Sequence, residues 1–302
     1  MVDLVFRLDA NNSVGAGHLK RSLALIEPLM GRGVNIAVQG FISESFRSEL
    51  DLLGIPLTQG SRIQDCKCLV IDHYGDLDNI LLLVPATTKV VLFEDVQQRS
   101  SDRVDMVIDA FGLRDLYLPK FPNAKIFCGL QYQVFRSAIE VHKRDSFAAG
   151  DECVVTLGAS SQHHLLTRIL DVLQSVDSCL KVLVVSDDDI QVGSDTKVIP
   201  FSNDFLTRVM RAKFVVCAAG QTLLELVYCG VPVIGIEIAE NQHNCAETLR
   251  SHGVSVLEAG EIESDLSALV NTKIANAGKF ANIPQLGAGK RALVSEIEGF
   301  LI

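Results

Sequence analysis

Residues 2–30 read VDLVFRLDANNSVGAGHLKRSLALIEPLM, and this stretch decides the fold class. Residues 2–8 form a short, mostly apolar run, which predicts a strand. Apolar side chains then recur at spacings of three and four, at Leu19, Leu23, Ile26 and Met30. That spacing predicts a helix over residues 15–30. A strand, a glycine-containing turn and a helix predict the opening unit of an α/β domain.

The same alternation continues along the chain. Further apolar runs, which predict strands, lie at residues 34–39, 68–72, 90–94, 106–109, 153–157, 181–185, 197–200, 214–218, 232–236 and 255–257. Segments that predict helices lie at residues 43–53, 163–176, 205–212, 221–229, 244–252 and 290–301. The strand runs are continuous rather than alternating in hydrophobicity. This pattern is typical of a parallel sheet covered by helices on both faces.

The length of 302 residues suits two domains of roughly 150 residues each. A polar segment at residues 136–152 is the predicted linker. We therefore expect an α/β protein with two Rossmann-type, doubly wound domains that face each other across a cleft. The domains are predicted at residues 1–143 and 144–302, and the last helix is a candidate to pack back on the first domain.

The amino-acid composition limits the classes of binding partner and the compartment that we expect. The formal net charge of −10 gives no bulk attraction for nucleic acid or anionic lipid, so we expect a small-molecule partner. The eight cysteines include no C-x-x-C pair, which indicates buried thiols in a reducing compartment and no metal site. Neither a signal peptide nor a membrane-spanning run is visible. We expect a cytoplasmic monomer that does not bind a membrane.

A glycine turn after the first predicted strand holds a histidine, in Gly15-Ala16-Gly17-His18. Glycines let the backbone come close to a ligand, and a helix start offers unpaired N–H donors. The third glycine of the dinucleotide-binding fingerprint is missing, and His18 intervenes. The helix dipole disfavours a charged imidazole there, so His18 is predicted to be a neutral general base. The alternative is a solvent-facing histidine near a helix start.

Polar residues also close two predicted strands of the N-terminal half. The first set is Asp72-His73-Tyr74, at a position that faces the ligand in α/β sheets. Asp72 is a candidate to orient a histidine, and Tyr74 is a candidate to donate to a substrate oxygen. Glu94 and Asp95 end the next strand in the same way. The alternative for both sets is an ordinary strand-to-loop exit.

The C-terminal half has three polar turns at predicted strand ends. Their candidate ligand residues are Gly158, Ser160, Gly220, Gln221, Thr222, Glu225, Glu240, Asn241 and Gln242. The turn at residues 219–225 predicts a nest of N–H groups for a phosphate, and the alternative is a plain strand-to-helix connection. The turn at residues 238–243 offers donors and acceptors for a ribose or a sugar, or caps the helix that follows. The turn at residues 157–161 is a less specific phosphate candidate.

Together these motifs resemble one family, the UDP-2,4-diacetamido-2,4,6-trideoxy-β-L-altropyranose hydrolases (PseG) of pseudaminic acid biosynthesis. That family is in turn similar to the lipid II N-acetylglucosaminyltransferase, a GT-B enzyme. The stretches that carry the resemblance are Arg7-Leu8-Asp9-Ala10, Gly15-Ala16-Gly17-His18-Leu19-Lys20-Arg21, Val70-Ile71-Asp72-His73-Tyr74-Gly75, Ala219-Gly220-Gln221-Thr222 and Glu240-Asn241-Gln242. They occur in the family's order over most of the chain.

The resemblance implies a metal-independent, inverting hydrolysis without a cofactor, in which water attacks the anomeric carbon and UDP leaves. It makes His18 the base, with Asp72 and Tyr74 in the catalytic set. The further substrate-binding residues of this sugar and catalytic half are Gly15, Gly17, Arg21, His73 and Asp95. The nucleotide is expected on the C-terminal half, at residues 220–225, with residues 240–242 near the diphosphate or sugar.

Two other functions stay open at the level of sequence. A GT-B glycosyltransferase would use the same base to deprotonate an acceptor hydroxyl instead of water. A non-catalytic nucleotide-sugar binder would fit the altered glycine motifs, in which Gln221 stands where the family has a smaller Ser. An acceptor-dependent product would favour the first alternative, and UDP binding without turnover would favour the second.

Overall fold

The computed structural model describes residues 2–11, 15–60, 63–95, 98–143, 150–158, 162–177, 179–186, 190, 192–193, 196–200, 205–276 and 279–302. The chain divides into two compact units. The first comprises Met1–Ser137 together with Pro284–Ile302, and the second comprises Ala138–Ile283. The division therefore falls after residue 137 rather than at the predicted residue 143, and the last segment returns to the first unit.

Short strands and helices alternate along the chain. The strands are β1 (Leu4–Leu8), β2 (Ile36–Gln39), β3 (Leu57–Thr58), β4 (Cys68–Asp72), β5 (Lys89–Phe93), β6 (Met106–Asp109), β7 (Lys125–Cys128), β8 (Glu152–Thr156), β9 (Lys181–Val185), β10 (Thr196–Ile199), β11 (Phe214–Ala218), β12 (Val233–Glu237) and β13 (Ser255–Glu258). The helices are α1 (Gly17–Met30), α2 (Glu44–Leu52), α3 (Leu77–Leu82), α4 (Arg114–Tyr117), α5 (Ser137–Glu140), α6 (His163–Val176), α7 (Phe205–Val209), α8 (Gln221–Tyr228), α9 (His243–Ser251), α10 (Ile262–Ala275) and α11 (Lys290–Gly299).

The first unit is built on a seven-stranded parallel sheet in the order β3-β2-β1-β4-β5-β6-β7. The chain first adds strands on one side of β1 and then continues on the other side from β4. Between β1 and β4 the sheet therefore has a topological switch point. In doubly wound sheets, ligands bind beyond the carboxyl ends of the strands at such a point.

Helices cover both faces of this first sheet, because its strands are apolar on both sides. Neighbouring residues of β1 point to opposite faces, so Phe6 and Val5 enter two different cores. Helices α1 and α11 pack on the Phe6 side, where Leu23 and Leu293 are buried together. Each such side chain contributes about 1.5–3 kcal/mol by leaving water. This burial explains why the last helix belongs to the first unit.

The second unit has a six-stranded parallel sheet in the order β10-β9-β8-β11-β12-β13. Its switch point lies between β8 and β11. Helices α6 and α10 bury their apolar stripes in one core, with Ile169, Leu173 and Leu266 among the fully or nearly fully buried residues. The sheet order again places the carboxyl ends of β8, β11 and β12 side by side.

The predicted strands are all found, each within two residues of its predicted bounds. The helix predicted over residues 205–212 ends at Val209 and continues as a turn. Several elements were missed: β3, β7, α3, α4, α5 and α10. Most of these are very short, but α10 is a full-length helix whose apolar residues are mixed with charged ones along IESDLSALVNTKIA.

A buried carboxyl group and a buried phenol meet at the end of β6. Tyr117 Oη lies 2.5 Å from Asp109 Oδ2 and 2.8 Å from the carbonyl oxygen of Glu94. The single phenol proton can reach only one of these acceptors at a time. Burial raises the pKa of Asp109 to about 6, although hydrogen bonds from Tyr117 and from the Phe111 N–H oppose the rise. A protonated Asp109 would itself donate the second hydrogen bond.

Asp109→Asn should therefore become relatively more stable as the pH rises. The neutral carboxyl group contributes stability that is fully present below pH about 3.8 and is lost as the pH rises through about 6. The Asn variant cannot ionise. Its free energy of unfolding, relative to that of the parent, should rise by about 2–3 kcal/mol between about pH 4 and about pH 8 in urea titrations. A pH-independent difference, like that expected for exposed Asp115→Asn, would contradict this.

Candidate active site

The first unit gathers its predicted site residues at the carboxyl edge of its sheet. β1, β4 and β5 are neighbours, so the residues that follow them lie next to one another. Asp9 follows β1, Asp72 ends β4 and Asp95 follows β5. Helix α1 begins at Gly17 and brings His18 to the same edge. The strand order therefore accounts for the meeting of motifs that are far apart in the sequence.

Arg21 stands at the centre of this group. Its Nε donates to Asp72 Oδ2 at 2.7 Å, its Nη2 donates to Asp72 Oδ1, and its Nη1 donates to Asp95 Oδ2 at 2.8 Å. The guanidinium group also lies over the ring of Phe93, with 4.7 Å from Cζ to the ring centroid. Burial favours the neutral forms of Arg21 and Asp95. The attraction of Asp72 and then of Asp95 outweighs burial and raises the pKa of Arg21, and the attraction of Arg21 lowers the pKa of Asp95. The result is a charged cluster in which Asp72 is fully buried and Arg21 and Asp95 are largely buried.

His18 is buried beside this cluster. Its Nε2 lies 3.9 Å from Asp72 Oδ1, and its Nδ1 makes no hydrogen bond to any residue that the structure describes. Its ring meets the ring of Tyr74 edge to face, with centroids 4.5 Å apart and an interplanar angle of 68°. Burial lowers the pKa of His18; Asp72 opposes this and Arg21 reinforces it. The imidazole is therefore uncharged at neutral pH and can accept a proton.

The two glycines before His18 differ in their roles. Gly15 has φ = +73°, in the left-handed region where a side chain is strained. Gly17 begins α1 with an ordinary φ, and a methyl group there would meet no atom within 4 Å among the described residues. Gly15 is thus required by the turn, whereas Gly17 leaves space beside the helix start.

His73 and Asp9 form a second polar group at the same edge. The N–H of Gly75 donates to His73 Nδ1 at 2.7 Å, and His73 Nε2 lies 2.9 Å from Asp9 Oδ2. Asp9 Oδ1 accepts hydrogen bonds from Arg7 and from the N–H of Phe41. Burial would raise the pKa of Asp9, but the hydrogen bonds from His73, Phe41 and Arg7 hold it well below its ordinary value.

Sequence reasoning missed the role of Arg99. This residue donates to the backbone carbonyl oxygens of His73 and Phe93 at 2.6 and 2.7 Å, and forms an ion pair with fully buried Glu94. It lies in the polar stretch QQRSSDR, which has no periodicity and no motif. Arg7 and Asp9 belong to the Arg7–Ala10 stretch of the family resemblance, but no role was predicted for either. Opposite charges two positions apart at a strand end were a signal that could have indicated their ion pair.

The second unit places its own set at the carboxyl edge of its sheet. Gly220 precedes α8, and Gln221 Nε2 donates to Glu225 Oε1 at 3.3 Å. Thr222 lies in the first turn of α8, half-buried. Gln242 Oε1 accepts from the N–H of Ile238 at 3.0 Å, and a methyl group on Gly220 would lie 3.7 Å from Gln242 Nε2. These residues therefore surround the N-terminus of α8.

The other predicted site residues of this unit are more widely spread. Gly158, with φ = +82°, follows β8, the strand next to β11. Glu240 and Asn241 begin a 3₁₀ turn and are exposed. Ser160 lies outside the described residues.

The described residues contain no group of three or more His, Cys, Asp or Glu side chains arranged to hold a metal ion. No helix in the described ranges is long and apolar enough to cross a bilayer.

The comparisons with known proteins establish the fold. No protein-family model matches the chain, and the curated proteins give no match either. Among solved structures, the chain is similar to MurG of Acinetobacter baumannii, with 14% identity over 98% of this chain and 99% of that chain and a TM-score of 0.57. It is also similar to the spinosyn rhamnosyltransferase SpnG complexed with thymidine diphosphate, with 12% identity, 99% and 96% coverage and a TM-score of 0.59.

A third similar structure is that of HepE from Anabaena in complex with UDP-glucose, with 14% identity over 100% of this chain and 97% of that chain and a TM-score of 0.60. Identities this low carry the fold and nothing more specific. The predicted fold class is confirmed: the chain has two Rossmann-type units with parallel sheets, as in the GT-B glycosyltransferases.

The ion pair between largely buried Arg21 and fully buried Asp72 gives a stability test. Arg21→Met leaves the carboxylate of Asp72, which has no exposed surface, without its ion-pair partner. We expect the free energy of unfolding to fall by about 3–5 kcal/mol in urea denaturation. The control is Arg32→Met, which breaks the exposed ion pair with Glu298 and should cost less than about 1 kcal/mol. Equal losses in the two variants would show that Arg21 does not hold a buried charge cluster together.

Proposed function

We propose that this protein hydrolyses a UDP-linked diacetamido-trideoxyhexose at the anomeric carbon with inversion, and releases UDP and the free sugar for a pseudaminic-type nonulosonic acid. The observation that carries the proposal is the buried, uncharged His18, which lies beside Asp72 and keeps Nδ1 without a partner among the described residues. A general base needs this state. The GT-B fold supports a nucleotide-sugar substrate, since similar structures hold UDP-glucose or thymidine diphosphate.

In the proposed reaction, His18 accepts a proton from water while the water oxygen bonds to the anomeric carbon. The bond from that carbon to the diphosphate oxygen breaks, and its electron pair leaves with UDP. Water attacks the anomeric carbon on the face opposite to the leaving diphosphate, so the configuration at that carbon inverts. A positioned base of this kind supplies about 10²–10⁴-fold of the rate. The residues of both units act without a metal ion or a cofactor in this scheme.

The charges at the two strand edges support different binding roles for the two units. In the first unit, Asp72 and Asp95 oppose the single positive charge of Arg21, so the group carries one carboxylate in excess. Excess negative charge favours the positive charge that develops at the anomeric centre and disfavours a diphosphate. In the second unit, the start of α8 offers N–H groups that suit phosphate oxygens. We therefore assign base and sugar to the first unit and UDP to the second, in a cytoplasmic monomer.

A glycosyltransferase is the second candidate, because the three similar structures described above include a protein named as a rhamnosyltransferase. The same His18 would then deprotonate an acceptor hydroxyl. What favours water is the resemblance of the Gly15–Arg21 and Asp72–Tyr74 elements to the hydrolase family. Incubation with a panel of UDP-diacetamido-trideoxyhexoses, with neither metal nor acceptor added, separates the two. Release of UDP supports the hydrolase, and release only when an acceptor is present supports the transferase.

His18→Phe tests the base directly. The variant should bind UDP as the parent does but lose about 10²–10⁴-fold in kcat. In the parent, kcat/KM should fall as the pH drops through the pKa of His18 in the free protein, which burial holds below 6.5, because a protonated imidazole cannot accept a proton. The residual activity of the variant should lack this acidic limb. Normal turnover in the variant would show that His18 is not the general base.

Gly220→Ala tests the nucleotide site. A methyl group fits the free protein, since its nearest neighbour would be Gln242 Nε2 at 3.7 Å, so we expect the stability to change by less than about 0.5 kcal/mol. The same methyl group takes the space that a phosphate needs at the start of α8, and UDP affinity should fall about tenfold by calorimetry. Gly260→Ala, equally open and in the same unit, is the control. Unchanged UDP affinity in Gly220→Ala would show that the nucleotide does not bind at the start of α8.

A further inference from the structure

His73 has a fixed protonation pattern. Its Nδ1 accepts the hydrogen bond from the N–H of Gly75, so this nitrogen carries no proton. In the neutral ring the proton is then on Nε2, which faces Asp9 Oδ2 at 2.9 Å. Arg7 Nη2 is 3.5 Å from the same Nε2, too far to compete with that bond. Both ring nitrogens are thus used within the protein, and the ring bridges the loops after β1 and β4.

Gly75 is fitted to this ring. A Cβ atom at Gly75 would lie 2.2 Å from His73 Cε1 and 2.5 Å from His73 Nδ1. Its φ is not in the left-handed region, so the backbone itself does not require glycine there. Close approach to the imidazole is the reason that this position has no side chain. The Gly75 N–H and the His73 ring therefore form one rigid turn with Tyr74 between them.

Arg99 holds the other side of this turn. Its Nη1 donates to the backbone carbonyl oxygen of His73 at 2.6 Å, and its Nη2 donates to that of Phe93 at 2.7 Å. Its Nε pairs with Glu94, whose side chain is fully buried. One guanidinium group thus ties the ends of β4 and β5 together. The peptide groups before and after Tyr74 are both fixed by hydrogen bonds, one from Arg99 and one to His73.

We propose that His73 and Arg99 are positioning residues that clamp the backbone on both sides of Tyr74 and hold its ring edge to face against His18. The inference rests on the proposed function, because it assigns both residues to the surroundings of the proposed base. The ring centroids of Tyr74 and His18 lie 4.5 Å apart, and Tyr74 Oη lies 3.4 Å from Asp95 Oδ2. This contact covers one side of the imidazole.

Release of the clamp changes what surrounds His18. The charged and titratable groups that act on it are Asp72, Arg21, Asp95 and His73, with the Tyr74 ring in contact. Burial is the largest cause of the lowered pKa of His18. If Tyr74 moves away, water reaches the imidazole and stabilises its protonated form. The pKa of His18 should then rise towards 6.5, and the base should lose its orientation towards the substrate.

The test measures the His18 pKa by NMR titration of the ¹³C-labelled imidazole in the full chain, without substrate. Arg99→Met should raise this pKa. In kinetic measurements it should lower kcat about ten- to hundredfold, with the Kd for UDP within about twofold of the parent value. Gly75→Ala, which displaces the His73 ring from the opposite side, should act in the same direction and decides the question if Arg99→Met fails to fold. Arg103→Met is the matched control, because Arg103 also binds backbone carbonyl groups, those of Leu81, Val84 and Pro85, but none beside His18.

A raised His18 pKa in Arg99→Met or Gly75→Ala, with no change in Arg103→Met, supports the clamp. An unchanged pKa in the folded variants, or an equal rise in Arg103→Met, overturns it. The titration needs no turnover, so it separates the two claims. If no UDP-sugar is hydrolysed but the pKa rises, the proposed function fails and the clamp stands. If hydrolysis is found and the pKa does not move, the clamp fails alone.

Discussion

The first unit depends on one largely buried guanidinium group, that of Arg21, held between two carboxylates. Arg21 reaches Asp72 and Asp95, at the ends of two adjacent strands, from the first turns of the helix that follows a third. Each charge would be costly to bury alone, and the two ion pairs offset part of that cost. The arrangement sets the direction of α1 relative to the sheet edge. It thereby determines that His18, three residues earlier on the same helix, is buried beside Asp72 and not exposed to water.

This constraint also affects the electrostatics of His18, the proposed base. The carboxylates would favour a protonated His18, but Arg21 offsets them and burial disfavours the charge. The imidazole is kept neutral without being hydrogen-bonded to Asp72, since 3.9 Å is beyond a hydrogen bond. A histidine that is tightly bonded to a carboxylate would be a stronger base but also more often protonated. The observed spacing suits a proton acceptor at neutral pH.

Much of the fold could be predicted from the sequence, because continuous apolar runs and 3.6-residue periodicity are local signals. The polar strand end marked Asp72 and Tyr74 as candidates, the glycine turn marked His18, and the family resemblance joined the three in one set. What could not be predicted depends on contacts between distant residues. Arg99 has no local signal, yet it binds the backbone of a turn 26 positions earlier. The last helix was a candidate from the sequence to pack back on the first unit, but the apolar contacts with α1 that hold it there join residues far apart in the chain.

The central claim is that water, activated by His18, attacks the anomeric carbon of a UDP-linked sugar. Turnover of such a substrate in ¹⁸O-labelled water, followed by NMR and mass spectrometry, tests it most directly. The label should enter the free sugar at the anomeric position, with inverted configuration in the first-formed product, and UDP should carry no label. Label in the phosphate of UDP, or retention of configuration at the anomeric carbon, would contradict it.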